Sequence, residues 1–87
     1  MGVTYVAAGD DSGLRVAYAI GRRVGGAVVR NRVRRRLRAA VAAEADRIPP
    51  GAYLVSGEPA IAGIPFEELR MSVLAAMTQA AARKPSR

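Results

Sequence analysis

Histidine, cysteine and tryptophan are all missing from this sequence. Without histidine the chain has neither the usual general base nor the usual metal ligand. Without cysteine it can form no disulfide and no thiolate metal site. Lysine occurs once, at Lys84, phenylalanine once, at Phe66, and aromatics make up only 5% of the 87 residues. Alanine is abundant, so the apolar fraction of 51% overstates the volume available for packing. A chain this short buries a limited share of its surface, which points to one domain with a marginal core. That domain is expected over residues 1–80, with a basic C-terminal tail over 81–87. No apolar run approaches the roughly 20 residues needed to cross a bilayer. The start, MGVTYVAAG, lacks the basic, apolar and cleavage regions of a signal peptide. The expectation is a cytoplasmic protein with no membrane partner.

What is present is positive charge. The net charge is +7 and the pI about 11.3, which favours nucleic acid or another anionic surface as partner. Nearly all of that charge is arginine, whose planar guanidinium suits phosphate and base edges better than a point charge does. The stretch RRVGGAVVRNRVRRRLR, from Arg22 to Arg38, holds eight arginines and no acid. At 100° per residue Val29, Val33, Leu37 and Ala40 fall within about 80° of one another, as a core-facing stripe of a helix would. Arg30, Arg34 and Arg38 recur at i, i+4 and i+8, and with Asn31 and Arg35 are expected to fill the opposite side. Like charges at that spacing destabilise a helix by roughly 0.2–0.5 kcal/mol per pair. Solvated faces normally mix signs; a face this one-sided calls for a polyanion. Arg36, at the edge of the apolar stripe, is expected to lie along the core instead.

The pattern predicts strands over Val3–Ala8 and Leu14–Ile20, with a Gly/Asp/Ser loop from Gly9 to Gly13 that suggests an antiparallel hairpin. A helix is predicted from about Ala27 to Arg47, stopped by Pro49-Pro50-Gly51. Gly25 and Gly26 ahead of it permit a tight turn and leave amides exposed at the helix start. Ala52–Ser56 reads as a third strand, apolar enough to be central. A last helix begins near Phe66, with Glu67 and Glu68 in its first turn and Phe66, Leu69, Val73 and Met77 as its core stripe; from Ala80 onward it should fray. Strand, strand, helix, strand, helix (β-β-α-β-α) gives an α+β fold, a two-layer α/β sandwich with helices on one face and an open sheet face.

The run from Gly21 to Arg38, above all Val28-Val29-Arg30-Asn31-Arg32 followed by Val33-Arg34-Arg35 and Arg38, resembles the signature of the bacterial ribonuclease P protein component. The resemblance extends to Pro50-Gly51-Ala52-Tyr53-Leu54-Val55 as the family's next strand and Pro65-Phe66-Glu67-Glu68-Leu69-Arg70 as its last helix start. It implies the sandwich of the ribosomal-protein and ribonuclease P protein type. The activity it implies is removal of the 5′ leader from precursor tRNA, with catalysis carried by a partner RNA. The protein then binds no cofactor, magnesium enters through that RNA, and the partners are the catalytic RNA and precursor tRNA with its leader. Carried over by position, Arg30, Asn31, Arg32, Arg34, Arg35 and Arg38 contact the catalytic RNA, and Arg22 and Arg23 match basic loop positions. Tyr5 and Tyr18 fall on strands of the sheet whose open face takes the leader in that family. They are candidate leader contacts, because a tyrosine can stack on an unpaired base for about 1–3 kcal/mol. Tyr18 shares a face with Leu14, Val16 and Ile20, however, and either ring could fill core volume.

The sequence departs from the family pattern in three places. The pattern opens with a further helix and extra sheet ahead of the residues matched here. Gly26 stands where asparagine is usual, and Gly57 and Glu58 replace basic residues. No paired carboxylates or nucleophile–base set are evident, which suits a protein that cleaves no bond itself. The alternative class is a general RNA-binding or ribosome-associated module without tRNA processing. A membrane-active cationic helix would carry large apolar residues beside its arginines; valine and alanine occupy those sites, so that reading ranks last.

Overall fold

The computed structural model describes residues 1–7 and 13–83. Three strands, β1 (Gly2–Ala7), β2 (Leu14–Ala19) and β3 (Gly51–Ser56), form one sheet, and two helices, α1 (Ala27–Ala43) and α2 (Phe66–Ala82), pack on it. The order is β1-β3-β2, so β3 is central, as its apolar sequence suggested. It runs antiparallel to β1, with Val3 opposite Val55 and Tyr5 opposite Tyr53. It runs parallel to β2, with Val16 opposite Tyr53 and Tyr18 opposite Val55. The expected β1–β2 hairpin therefore does not form. The two strands do point in opposite directions, but β3 lies between them. Its Tyr53 and Val55 are almost wholly buried, and a central place lets both of its edges find backbone partners. The path from β2 to β3 runs through α1, the crossover that parallel neighbours need. The predicted Gly9–Gly13 loop, apart from Gly13, and the tail from Lys84 lie outside the described residues.

Alternation sorts the sheet into two faces. Val3, Tyr5, Leu14, Val16, Tyr18, Tyr53 and Val55 face the helices, where Val33, Leu37, Ala40 and Val41 of α1 and Leu69, Val73, Met77 and Ala80 of α2 complete the core. The α1 stripe is the predicted one, with Val41 added and Val29 at its margin. Phe66 departs from expectation: it is 41% exposed. It is the first residue of α2 and overhangs the end of the layer, so the buried stripe begins one turn later at Leu69. The predicted fraying from Ala80 is also wrong. Ala80 is buried and the helix continues to Ala82. The far face of the sheet, with Thr4, Val6, Arg15, Ala17, Ala19, Leu54 and Ser56, is open.

Helix α1 stops at Ala43 rather than near Arg47, and the chain tightens into a 3-10 turn over Ala45–Arg47. Two causes act together. Ile48 precedes Pro49 and is held extended at φ −85°, ψ 130°. Glu44, only 3% exposed, turns inward to an ion pair with Arg70 of α2, which also holds Glu67 at 2.6 Å. The end of α1 is thereby tied to the start of α2. Gly57 follows β3 where a Cβ would stand 2.9 Å from Ile20 Cδ1 and from Val33 Cγ1. The end of β3 thus approaches Ile20 and α1 too closely for a side chain at this position.

Tyr53 donates its hydroxyl proton to Pro49 O at 2.6 Å and packs edge-on against Tyr5, centroids 5.2 Å apart. Burial pushes the phenol of Tyr53 above its ordinary 10.0, and burial outweighs nearby Arg38 in doing the same to Tyr18. A phenol whose folded pKa is raised contributes stability that is whole below the unfolded value and lost as pH rises from there through the higher folded one. Stability should therefore stay level on the alkaline side until about pH 10 and then fall. Tyrosinate absorbance followed beside circular dichroism measures this. The Tyr53→Phe variant should lose part of the alkaline fall, and an unchanged fall would contradict the assignment.

Candidate nucleic-acid interface

The arginine helix is entered from β2 through buried Ile20 and a 3-10 turn, Arg22–Val24, whose Val24 is buried while Arg22 and Arg23 are exposed. Gly25 sits at φ +149°, a conformation that strains any other residue, and a Cβ there would meet Val29 at 3.0 Å. Gly26 then caps α1 with no side-chain hydrogen bond, and the first turn holds no acid.

Along α1 the guanidinium groups cover the whole solvent-facing arc. Asn31, Arg32, Arg35 and Arg38 are exposed; Arg30, Arg34 and Arg36 are half-buried. The expectation that Arg30 and Arg34 lie opposite the core needs correcting. They stand on the flank beside the apolar stripe, because 100° per residue brings position 30 close to the direction of Leu37. Arg38, on the same flank, lies over the Tyr18 ring at 5.8 Å. Asn31 accepts from Arg34 Nη1 at 3.4 Å, which links two of the polar side chains. Arg36 behaves as expected at the stripe's edge. Its Nη2 donates to Ile64 O, and its Nε is enclosed with no acceptor among the described residues.

Charge is segregated on this surface. Among the described residues, every carboxylate ion pair engages Arg47, Arg70 or the terminal amine, and none engages an arginine between Arg22 and Arg38. Eight guanidinium groups on one short segment thus have no carboxylate ion pair among the described residues. The leader candidates fare differently. Tyr5 and Tyr18 pack on the helix side of the sheet, half-buried against the core, and neither ring lies on the open face. Their strand positions alternate in register with Tyr53 and Val55, which fixes that side. Among the described residues no group of three or more acidic side chains is arranged to hold a metal ion. No described helix is long and apolar enough to cross a membrane. Sequence reasoning missed Phe66 as a surface residue. Its place directly after Pro65, at the first position of a helix, was the available signal.

Fold and helix together define a small basic α+β protein that presents uncompensated guanidinium groups. Comparison with known proteins makes the family explicit. The chain belongs to the family described as Ribonuclease P, whose sequence profile matches residues 2–81. It is 48% identical over 60 residues to the ribonuclease P protein component of Symbiobacterium thermophilum, covering 68% of this chain and 52% of that one. It is 49% identical over 61 residues to that of Acidothermus cellulolyticus, covering 69% and 51%. The fold is similar to that of the Staphylococcus aureus RNase P protein, with a TM-score of 0.63 at 15% identity over 91% of this chain and 70% of the other. The chain spans about half the length of the curated relatives it matches.

Proposed function

We infer that this chain acts as a protein subunit of ribonuclease P, docking through α1 on the catalytic RNA and assisting removal of the 5′ leader from precursor tRNA. The observation that carries this is the guanidinium surface of Arg22, Arg23, Arg30, Arg32, Arg34, Arg35 and Arg38, with the Asn31 amide among them and no carboxylate pairing with it among the described residues, on a chain of this family. A polyanion relieves the repulsion among these groups, and arginine is the side chain that grips phosphate with two parallel hydrogen bonds. The protein's part is to bind and position. The catalytic RNA supplies the cleavage chemistry and holds the magnesium, and the setting is the cytoplasm. Leader contact, on this reading, falls to the open sheet face beside Arg15 rather than to the rings of Tyr5 and Tyr18.

Reconstitution tests the reading. Purified chain added to the catalytic RNA should cleave precursor tRNA at low magnesium, where the RNA alone fails. Absence of stimulation with intact, folded RNA would contradict a tRNA-processing role and leave RNA binding alone.

A further inference from the structure

One part of the basic surface differs from the rest in shape. Between α1 and the start of α2 lies a cleft of about 350 Å³, lined by Arg32, Arg35, Arg36, Ala39 and Phe66. Among the described residues its wall combines three cations with one aromatic ring and holds no carboxylate. We propose that this cleft takes one unpaired RNA nucleotide, its base stacked on Phe66 and its phosphate held by Arg32 and Arg35. The proposal rests on the RNA-binding reading above and adds to it a position for a single base.

Four observations carry it. Phe66 is the sole phenylalanine of a domain short of aromatic packing, yet the fold leaves it 41% exposed. Burying such a ring is favourable in proportion to the apolar area removed from water, so an exposed ring in a basic cleft is a stacking platform that the core does not use. Arg36 is pinned to Ile64 O with its Nε enclosed and no carboxylate partner among the described residues, so its charge stays beside the cleft in a fixed place. Such preorganisation lowers the cost of binding an anion. Arg32 and Arg35 are exposed and hold no ion pair among the described residues, leaving their donors to the cleft. Glu67, the acid next to Phe66, is engaged by Arg70 and does not line the cleft.

Size and chemistry then select the ligand. The cleft is at the small end of ligand sites, which run about 300–1,000 Å³, so it suits one nucleotide and not a helical segment. Bases in a duplex are stacked and paired and cannot turn a face to Phe66, whereas unpaired bases stack readily on aromatic rings.

The chain lacks tryptophan, so a Phe66→Trp variant reports on this cleft alone. Titration with a short single-stranded oligoadenylate should change the tryptophan emission saturably, in step with binding measured on end-labelled RNA. Arg32→Ala with Arg35→Ala in that background should abolish the emission change. Arg34→Ala, on the other flank, should weaken binding but leave the emission change at saturation intact. In the parent chain, Phe66→Ala should lower single-strand affinity roughly 5- to 150-fold, the equivalent of one lost base stack of about 1–3 kcal/mol, with duplex affinity unchanged and Phe66→Tyr restoring it. RNA binding with no change in tryptophan emission overturns the cleft while the RNA-binding reading stands. Inorganic phosphate giving the full emission change reduces the cleft to an anion site and overturns base stacking. Failure of the parent chain to bind any RNA removes the reading beneath the proposal.

Discussion

Leu37→Asp is expected to leave the chain without a cooperative fold. Leu37 is wholly buried, with Val33 and Val41 on its own helix and the sheet and α2 completing its surroundings. Removing such a leucine side chain costs about 2–5 kcal/mol. An aspartate at the same site must in addition bury an unpaired charge, at several kcal/mol even after relaxation, or take up a proton. A domain of this size holds only about 4–13 kcal/mol of stability in total. The sum of penalties is comparable to that whole stability, so circular dichroism should show no cooperative thermal transition near room temperature. Leu37→Ala, which omits the charge, should still fold and melt lower. A Leu37→Asp variant melting close to the parent would mean that α1 does not sit on the sheet as described.

Replacing Arg30, Arg34, Arg35 and Arg38 together by alanine should produce the opposite pattern, a folded protein that has lost most of its affinity for RNA. A hydrogen bond to a charged group contributes about 1.5–3 kcal/mol. Neighbours on one helix share phosphates, so four losses fall short of a sum; a decrease on the order of 10³-fold is expected. Stability should change little, because none of the four has a carboxylate partner among the described residues. Loss of the Arg38–Tyr18 contact costs about 0.5–1 kcal/mol, and relief of like-charge repulsion returns roughly 0.2–0.5 kcal/mol per pair. Binding by gel shift and melting by calorimetry, measured on the same preparation, separate the two effects. A variant that binds as well as the parent would place the RNA contact elsewhere.

These two outcomes divide along a line that was legible in the sequence. The 3.6-residue period of Val33, Leu37 and Ala40 located the buried side of α1, and the lack of acids between Arg22 and Arg38 located the charge. Period-2 alternation likewise gave the facing of Tyr18, and the apolar run of β3 gave its central place. Strand order was not legible. Alternation states which side of a strand is buried and says nothing of which strand lies next to it, so the adjacency of β1 and β2 in sequence suggested a hairpin that β3 interrupts. The end of α1 depended on a pairing between Glu44 and Arg70, 26 residues apart, that no local signal reports. Phe66 fitted the spacing of a core stripe, but spacing cannot tell where the layer beneath a helix ends. The arginines are a different case. Recurrence at i+4 gathers Arg30, Arg34 and Arg38 in one row, and the same 100° arithmetic sets that row beside Leu37, on one flank of the apolar stripe with Arg32 and Arg36 on the other. Reading the row as the face opposite the core overlooked this.

The salt dependence of affinity for the catalytic RNA bears most directly on whether the guanidinium surface of α1 is the docking surface. If that surface neutralises roughly five phosphates, the logarithm of the association constant should fall linearly with the logarithm of salt concentration, with a slope of about −3.5 to −4.5. The four-arginine variant should show a much shallower line. An affinity that hardly responds to salt, or an equal slope for parent and variant, would contradict the assignment.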